Sequence, residues 1–246
     1  MSCPAIKLTS VTVSYSPAVM GRSWVVDLAR RRPRQPLRAL RDVHIEVPYG
    51  GSVGIIGNNG AGKSTLLRVM AGILPATNGR VEINGTVTSL LNLDAGVETH
   101  LNGWENIDLL GALQRIPRRQ LPDFRSYVAE FSALGEALSR PVRTYSAGMQ
   151  LRLIFSLRTF TQPDILVVDE VFGVGDRQFA AKAKERTTAL LTNASSFALA
   201  SHDPALITAF CTEAIWLDNG SLIKRGPAAD VVRAYQASGG QAVAQQ

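Results

Sequence analysis

One glycine-rich stretch constrains the fold of this chain more than any other feature. Residues Gly57–Ser64, Gly-Asn-Asn-Gly-Ala-Gly-Lys-Ser, match the phosphate-binding pattern G-x-x-x-x-G-K-[ST] at every fixed position. An apolar run, Val53–Ile56, precedes the stretch, and Thr65–Met70 continues it with the pattern of a helix. This order of strand, glycine loop and helix predicts a nest of backbone N–H groups at a helix N-terminus, which binds phosphate oxygens.

The residue types in the loop predict a nucleoside triphosphate as the ligand. Lys63 supplies a mobile charge for the β- and γ-phosphates, and the Ser64 hydroxyl is suited to Mg²⁺. The expected nucleotide contacts are Gly57, Asn58, Asn59, Gly60, Ala61, Gly62, Lys63, Ser64 and Thr65.

The length of 246 residues fits one large domain or a core with an inserted subdomain. No apolar run approaches the roughly 18 residues that cross a bilayer, and the N-terminal residues lack the apolar stretch of a signal peptide. We therefore expect a soluble, cytoplasmic protein. The two cysteines, Cys3 and Cys211, indicate neither a disulfide framework nor a metal site.

A cluster of arginines supplies much of the net charge of +6. In residues 16–40, prolines and arginines surround a short apolar segment, Trp24–Ala29, which predicts an insertion with an amphipathic helix and a basic tail. Such a segment can meet anionic lipid, nucleic acid or an anionic substrate, or it can be a solvated loop, and the residues leave these alternatives open. The clustered arginines are Arg30, Arg31, Arg32, Arg34, Arg38 and Arg41.

Strand and helix patterns alternate along the rest of the chain. Ile6–Tyr15 alternates polar and apolar residues and predicts an edge strand. Continuous apolar runs at Ile165–Val168 and Ser196–Ala200 predict parallel strands covered on both faces. Asp218–Gly220 predicts a hairpin turn, and helical stripes between residues 102 and 140 predict a helical subdomain. Together these patterns predict a parallel α/β core around the glycine loop.

Polar residues follow the two buried strands. We expect Asp169, at the end of the first, to accept a hydrogen bond from Mg²⁺-bound water. Glu170 points differently, because strand side chains alternate, and is the expected general base or water-positioning residue. His202 follows the second strand and is expected to contact the γ-phosphate. Tyr15 either stacks on the nucleobase or is an ordinary aromatic at a strand end.

A second phosphate-binding device lies at Ser146–Gly148, a turn of small residues that opens a helix with Ser146 at the N-cap position. If this turn lies at the tip of a separate subdomain, it cannot reach the glycine loop of its own chain. A head-to-tail pair of chains would let each such helix cap the ATP held by the partner's loop. ATP binding would then close the pair, and hydrolysis would reopen it.

In combination, Gly57–Ser64, Tyr145–Met149, Ile165–Glu170 and His202 resemble the motifs of ABC-transporter ATPase subunits, over essentially the whole chain. The resemblance implies a RecA-like P-loop ATPase core with an antiparallel β subdomain and an inserted helical subdomain, the ABC nucleotide-binding domain. The expected organisation is one domain over 1–246, with the core and β subdomain at 1–92 and 151–246, the helical subdomain at 93–150, the basic insertion at 16–40 and a loose tail at 239–246.

The resemblance also implies roles for individual residues. The glutamine that the family carries in its Q-loop is absent, and Asn92 or Asp94 stands near its place, so that Asn92 is the candidate metal contact. The other matched residues are Tyr15 for adenine stacking, Ser146, Ala147 and Gly148 for the signature acting in trans, Asp176 for the D-loop carboxylate and His202 for the switch histidine.

Finer details are similar to ATPases that export bacterial polysaccharides, including O-antigen, capsule and teichoic acid. These details are Thr144–Met149, Asp169–Phe179 and Trp216–Gly220. The resemblance implies an ATPase that uses ATP and Mg²⁺, pairs with a second copy, and works with a permease at the cytoplasmic face of the inner membrane. The insertion of that family lies near the membrane, so the resemblance implies that Trp24–Arg34 meets an anionic lipid-linked polysaccharide, near Arg30–Arg34, or the membrane itself.

Two alternatives are weighed against polysaccharide export. The first is an ABC transporter ATPase with another cargo. The second is a soluble ABC ATPase that acts on nucleic acid or ribosomes, which the basic run allows. Because ATPases of the translation-factor type carry two ATPase units in one chain, we expect no nucleic-acid partner.

Overall fold

The computed structural model describes residues 3–15, 36–91, 96–169 and 177–239. The strands are β1 (Ile6–Tyr15), β2 (Leu37–Val47), β3 (Ser52–Ile56), β4 (Asn78–Ile83), β5 (Val87–Leu90), β6 (Ile165–Asp169), β7 (Ser196–Ala200), β8 (Glu213–Asp218) and β9 (Ser221–Pro227). The helices are α1 (Lys63–Met70), α2 (Gly103–Leu113), α3 (Leu121–Ser132), α4 (Ala147–Thr159), α5 (Arg177–Asn193), α6 (Pro204–Phe210) and α7 (Ala228–Ala237). None of these described helices combines the length and the apolar character that crossing a bilayer requires.

A six-stranded sheet with the order β5-β6-β7-β3-β8-β9 forms the centre of the molecule. Its strands run parallel except for β9, which returns antiparallel beside β8. Successive side chains point to opposite faces, so Ile55 and Val167 pack in one apolar cluster with α1, whereas Ile56 and Val168 pack in the other with α5 and α7. This double burial explains the continuous apolar runs and confirms the predicted parallel α/β core.

A three-stranded antiparallel sheet with the order β2-β1-β4 covers the other side of α1. The prediction that β1 is an edge strand is wrong, because Leu8 pairs with Ile45 of β2 on one side and with Val81 of β4 on the other. Alternation along a strand indicates which face is buried, but it carries no information on the number of neighbouring strands. The strand β2 begins at Leu37, so residues 37–40 belong to this sheet rather than to the predicted insertion.

A separate apolar cluster joins α2, α3 and α4, with Phe124 and Val128 fully buried inside it. The helix α4 belongs to both parts of the molecule: Leu153 and Leu157 pack in this cluster, and Phe155 packs in the cluster beneath the six-stranded sheet. The predicted boundary at residue 150 therefore falls inside α4. One continuous helix connects the helical cluster to the sheet.

Both cysteines are free thiols, with Cys3 exposed and Cys211 buried behind the six-stranded sheet. Burial raises the pKa of the Cys211 thiol to about 12, so this group stays protonated at neutral pH.

Asn106 secures the start of the helical cluster. Its side chain has no exposed surface, and its Oδ1 accepts a hydrogen bond of 2.8 Å from the backbone N–H of Glu98. Its Nδ2 donates to the carbonyl oxygens of Glu98 at 3.0 Å and Asn102 at 2.9 Å. The amide thus ties the loop before α2 to the first turn of that helix.

We predict that Asn106→Ala lowers the free energy of unfolding by about 1–3 kcal/mol, because it removes a buried amide that makes three hydrogen bonds to the backbone of Glu98 and Asn102. Urea titration followed by circular dichroism measures the change. Asn78→Ala, at an exposed position of β4, is the matched control and should shift stability by less than about 0.5 kcal/mol. Equal effects of the two substitutions on the free energy of unfolding would contradict a stabilising role for the Asn106 side chain.

Candidate functional site

A cleft of about 610 Å³ opens where β3, β6 and β7 end. In the sheet register Asp169 lies opposite Ala200, and Ala200 lies opposite Ile55, so the segments that follow these strands come together. The wall of the cleft consists of Tyr15, Leu37, Arg38, Ala39, Arg41, Asn59, Gly60, Gly62, Lys63, Ser64, Thr65, Asp169, His202, Asn219 and Gly220.

The glycine loop lies directly against the backbone of two neighbouring strands. A Cβ atom on Gly57, where φ is +154°, would lie 2.2 Å from the carbonyl oxygen of Leu217 in β8. A Cβ atom on Gly62, where φ is +106°, would lie 2.7 Å from the carbonyl oxygen of Ala39 in β2. Both positions therefore require glycine for close approach as well as for backbone conformation.

The tip of the β8–β9 hairpin supports the same loop. The predicted hairpin is present, and its turn consists of Asn219 and Gly220, with φ values of +46° and +79°. The N–H of Gly220 donates to the carbonyl of Ala61 at 2.8 Å, and the carbonyl of Gly220 accepts from the N–H of Arg41 at 2.8 Å. The turn thus bridges the glycine loop and β2.

Lys63 is the first residue of α1 and only 7% exposed. Its Nζ donates to the carbonyl oxygens of Gly57 at 2.7 Å and Asn58 at 3.2 Å, which holds the ammonium group over the loop. A buried cation beside a helix N-terminus makes this part of the cleft attractive to an anion.

Two of the three residues expected to bind Mg²⁺ line the cleft. The residue Ser64 is exposed, Asp169 is half-buried, and both line the cleft. A hydroxyl and a carboxylate are oxygen ligands of the kind that Mg²⁺ prefers, with phosphate oxygens completing the coordination. The described donor set therefore fits this metal.

Tyr15 and His202 also line the cleft. Tyr15 is half-buried at the end of β1, where it lies opposite Leu37 in the sheet. Its side chain also packs against the apolar cluster around α1, so both predicted roles, base stacking and an ordinary aromatic at a strand end, fit this position. His202 is exposed and comes two residues after Ala200, which is opposite Asp169. One cleft thus combines an aromatic side chain with the phosphate-binding loop and the histidine.

The residues Ser146, Ala147 and Gly148 are not part of the described cleft wall. They open α4 in the helical cluster, where the Ser146 Oγ accepts from the N–H of Met149 at 3.3 Å and forms the predicted N-cap. Ser146 and Ala147 are exposed, and a Cβ atom on Gly148 would meet open space. This helix N-terminus is therefore accessible to a second molecule.

Several predicted site residues lie outside the residues that the structure describes. They are Asn92 and its alternative Asp94, Glu170, Asp176 and the arginines Arg30, Arg31, Arg32 and Arg34. Of the predicted tail, only Gly239 is described.

The sequence places Arg38 and Arg41 in the arginine cluster and does not assign them to the nucleotide site. In the structure both are exposed residues of β2 on the cleft wall. Arg38 is opposite Ser14 in the sheet, beside Tyr15. The register between β1 and β2 would have revealed this proximity, but a long intervening segment hides it from the sequence.

The fold and the cleft define a P-loop nucleotide-binding cassette: a glycine loop on a parallel sheet, an antiparallel sheet above its helix, and a helical cluster at the side. A family model described as "ABC transporter" matches residues 40–173, which is more than half of the sequence. The chain belongs to the ABC transporter family.

Curated relatives are similar over most of this chain. The O-antigen export system ATP-binding protein RfbB of Myxococcus xanthus is 36% identical over 87% of this chain and 49% of its own length. The corresponding protein RfbE of Yersinia enterocolitica is 43% identical over 74% of this chain and 76% of its own. The teichoic acids export ATP-binding protein TagH of Shouchella clausii is 33% identical over 84% of this chain and 57% of its own length. The alignment thus spans about half of the first relative's length.

A solved structure supports the fold. The dimeric, post-hydrolysis form of an ATP-binding cassette with ADP and Pi superposes with a TM-score of 0.67 at 18% sequence identity, covering 91% of this chain and 98% of that chain. This likeness, together with the sheet order, confirms the predicted fold class.

We predict that Arg38→Ala and Arg41→Ala each weaken ATP binding by about 2–10-fold, because each removes a cation from the cleft wall. Both side chains are exposed, so the loss should shrink as salt rises from about 0.05 to 0.5 M. Titration with a fluorescent ATP analogue measures both effects. Arg119→Ala, at an exposed position before α3, is the charge-matched control. If the loss of ATP affinity equals that of the control, or does not change with salt concentration, the two arginines do not contribute to the nucleotide site.

Proposed function

We propose that this chain is the ATP-hydrolysing subunit of an ABC exporter that moves a lipid-linked polysaccharide across the inner membrane. The observation that supports ATP chemistry is the sharing of one cleft by Lys63, Ser64, Asp169 and His202. The proposed cargo rests on the sequence motifs and on relatives named for O-antigen and teichoic acid export.

The glycine loop binds the phosphates through its N–H groups, and Lys63 neutralises charge on the β- and γ-phosphates. Ser64 and Asp169 hold Mg²⁺, with Asn92 as a further candidate contact, and the metal when bound supplies positive charge against the phosphate oxygens. Tyr15, on the same cleft wall, stacks on adenine.

Hydrolysis requires a water molecule in line with the γ-phosphate. Glu170 positions this water and accepts its proton, and His202 holds the γ-phosphate. The water oxygen forms a bond to the γ-phosphorus while the bond to the β,γ-bridging oxygen breaks, which gives ADP and inorganic phosphate.

The second half of the site comes from a second copy of the chain. The exposed N-terminus of α4, with Ser146, Ala147 and Gly148, caps the ATP held by the partner's loop in a head-to-tail dimer. Asp176 lies at the same interface by the resemblance of its motif. ATP binding closes the dimer and hydrolysis reopens it, because the nucleotide has higher affinity for the closed state.

The dimer acts on a permease at the cytoplasmic face of the inner membrane. Arg30–Arg34, outside the described residues, meet the anionic lipid-linked polysaccharide or the membrane surface. An ABC transporter ATPase with another cargo is the alternative, and the two share the same ATP chemistry.

We predict that Glu170→Gln lowers ATP turnover by about 10²–10⁴-fold, the range for loss of a general base, while ATP affinity changes by less than about threefold. Phosphate release and nucleotide titration measure the two quantities. Glu136→Gln, at an exposed position between α3 and α4, should retain wild-type turnover. Wild-type turnover in Glu170→Gln would exclude the proposed role.

The same variant tests the cargo. In cells that carry Glu170→Gln in place of the native chain, the undelivered substrate should accumulate on the cytoplasmic side of the membrane, where lipid extraction and glycan analysis identify it. A lipid-linked polysaccharide supports the proposal. Accumulation of another compound points to the alternative cargo, and ATPase activity stimulated by nucleic acid without a permease would contradict both transport readings.

We predict that Lys63→Ala and Ser146→Arg, each inactive alone, regain ATPase activity when mixed. A head-to-tail heterodimer contains one site with both defects and one intact site, which combines the loop of one chain with the helix of the other. Activity of the mixture against each variant alone measures the effect. Ser139→Arg, at an exposed position between α3 and α4, controls for the added charge. A mixture as inactive as its components would contradict the trans site.

A further inference from the structure

One hydrogen bond joins the last described helix to the glycine loop. The hydroxyl of Tyr235, on α7, donates to the Oδ1 of Asn58 at 3.0 Å. The two residues are 177 positions apart in the sequence. Asn58 occupies a variable position of the loop pattern, so phosphate binding by the motif alone does not require a polar side chain there.

Packing fixes the tyrosine that donates this bond. The ring of Tyr235 lies edge-to-face against Trp216 of β8, with ring centroids 5.7 Å apart and an interplanar angle of 78°. On the same helix, Val231 and Val232 are buried in the cluster beneath the six-stranded sheet. Trp216 immediately precedes Leu217, whose carbonyl lies under Gly57. Packing against β8, the strand that supports the loop, therefore holds the phenol hydroxyl in a fixed position.

The residue that accepts this bond also determines the position of Lys63. The carbonyl oxygen of Asn58 accepts from the N–H of Ala61 at 3.1 Å and from the Nζ of Lys63 at 3.2 Å. Rotation of Asn58 would disturb the turn of the loop and the contact of the ammonium group. A bond to its side chain restrains both.

We propose that Tyr235 is a positioning residue that preorganises the glycine loop for nucleotide and couples α7 to nucleotide binding. The inference rests on the proposed binding of ATP. A loop already held in its binding conformation loses less conformational entropy when the phosphates enter. By linkage, a nucleotide that stabilises this loop also stabilises the hydrogen bond to α7.

The test compares nucleotide affinities in a double-mutant cycle. Tyr235→Phe retains the ring against Trp216 and removes only the hydroxyl, and Asn58→Ala removes the acceptor. Each should raise the Kd for ATP and ADP about 2–10-fold, the range for one net hydrogen bond. The double variant should lose no more than either single variant, because the two changes remove the same interaction.

Tyr127→Phe is the matched control, since its hydroxyl is hydrogen-bonded to the Oγ1 of Thr159 at 3.0 Å in the helical cluster. It should leave both Kd values unchanged. Hydrogen exchange measures how ATP changes the protection of α7, and a tyrosine with a purely structural role would not affect this change. ATP should slow amide exchange in residues 228–237 of the wild-type chain, and this protection should diminish in Tyr235→Phe.

The outcomes separate this inference from the proposed function. Normal affinity in Tyr235→Phe and Asn58→Ala, with binding abolished by Lys63→Ala, would overturn the positioning role alone. Additive losses in the double variant, or equal losses in Tyr127→Phe, would do the same. Failure of the wild-type chain to bind ATP would overturn both proposals.

Discussion

The close approach of the glycine loop to two backbone carbonyls is the contact on which the rest of the structure depends. Gly57 lies against the carbonyl of Leu217, and Gly62 lies against that of Ala39. A loop that turns its N–H groups inward has few side chains with which to hold itself, so neighbouring strands must support it. The strands β2 and β8 provide this support from two different sheets.

This requirement accounts for the layered architecture. The helix α1 follows the loop and is buried between the two sheets, where Leu66, Leu67 and Met70 have no exposed surface. Close-packed interiors resist displacement of the elements within them, so these buried side chains hold the helix in place. Because the helix N-terminus is fixed, the nest and Lys63 keep a defined orientation toward Ser64 and the carboxylate of Asp169. Apolar burial thus fixes the position of polar groups that lie at the surface of the cleft.

The helix α4 gives the helical cluster its connection to the cleft. Its residues pack in two apolar clusters, with Leu153 on one side and Phe155 on the other, while Ser146 caps its exposed end. A displacement of this end must therefore be accommodated at the six-stranded sheet or at the helical cluster. In the proposed dimer, the nucleotide of one chain would act on the fold of the other through this helix. Tyr235 would supply a second route, from the loop to α7.

The sequence alone determined those features that neighbouring residues encode. The loop pattern, the apolar runs of β6 and β7, the Asn219–Gly220 turn and the Ser146 cap each depend on spacing within a few residues. Tertiary structure alone decided that β1 is a central strand and that Arg38 lies on the cleft wall. It also decided that Tyr235 contacts the loop. These features depend on strand register and on contacts between distant segments, which no local periodicity specifies.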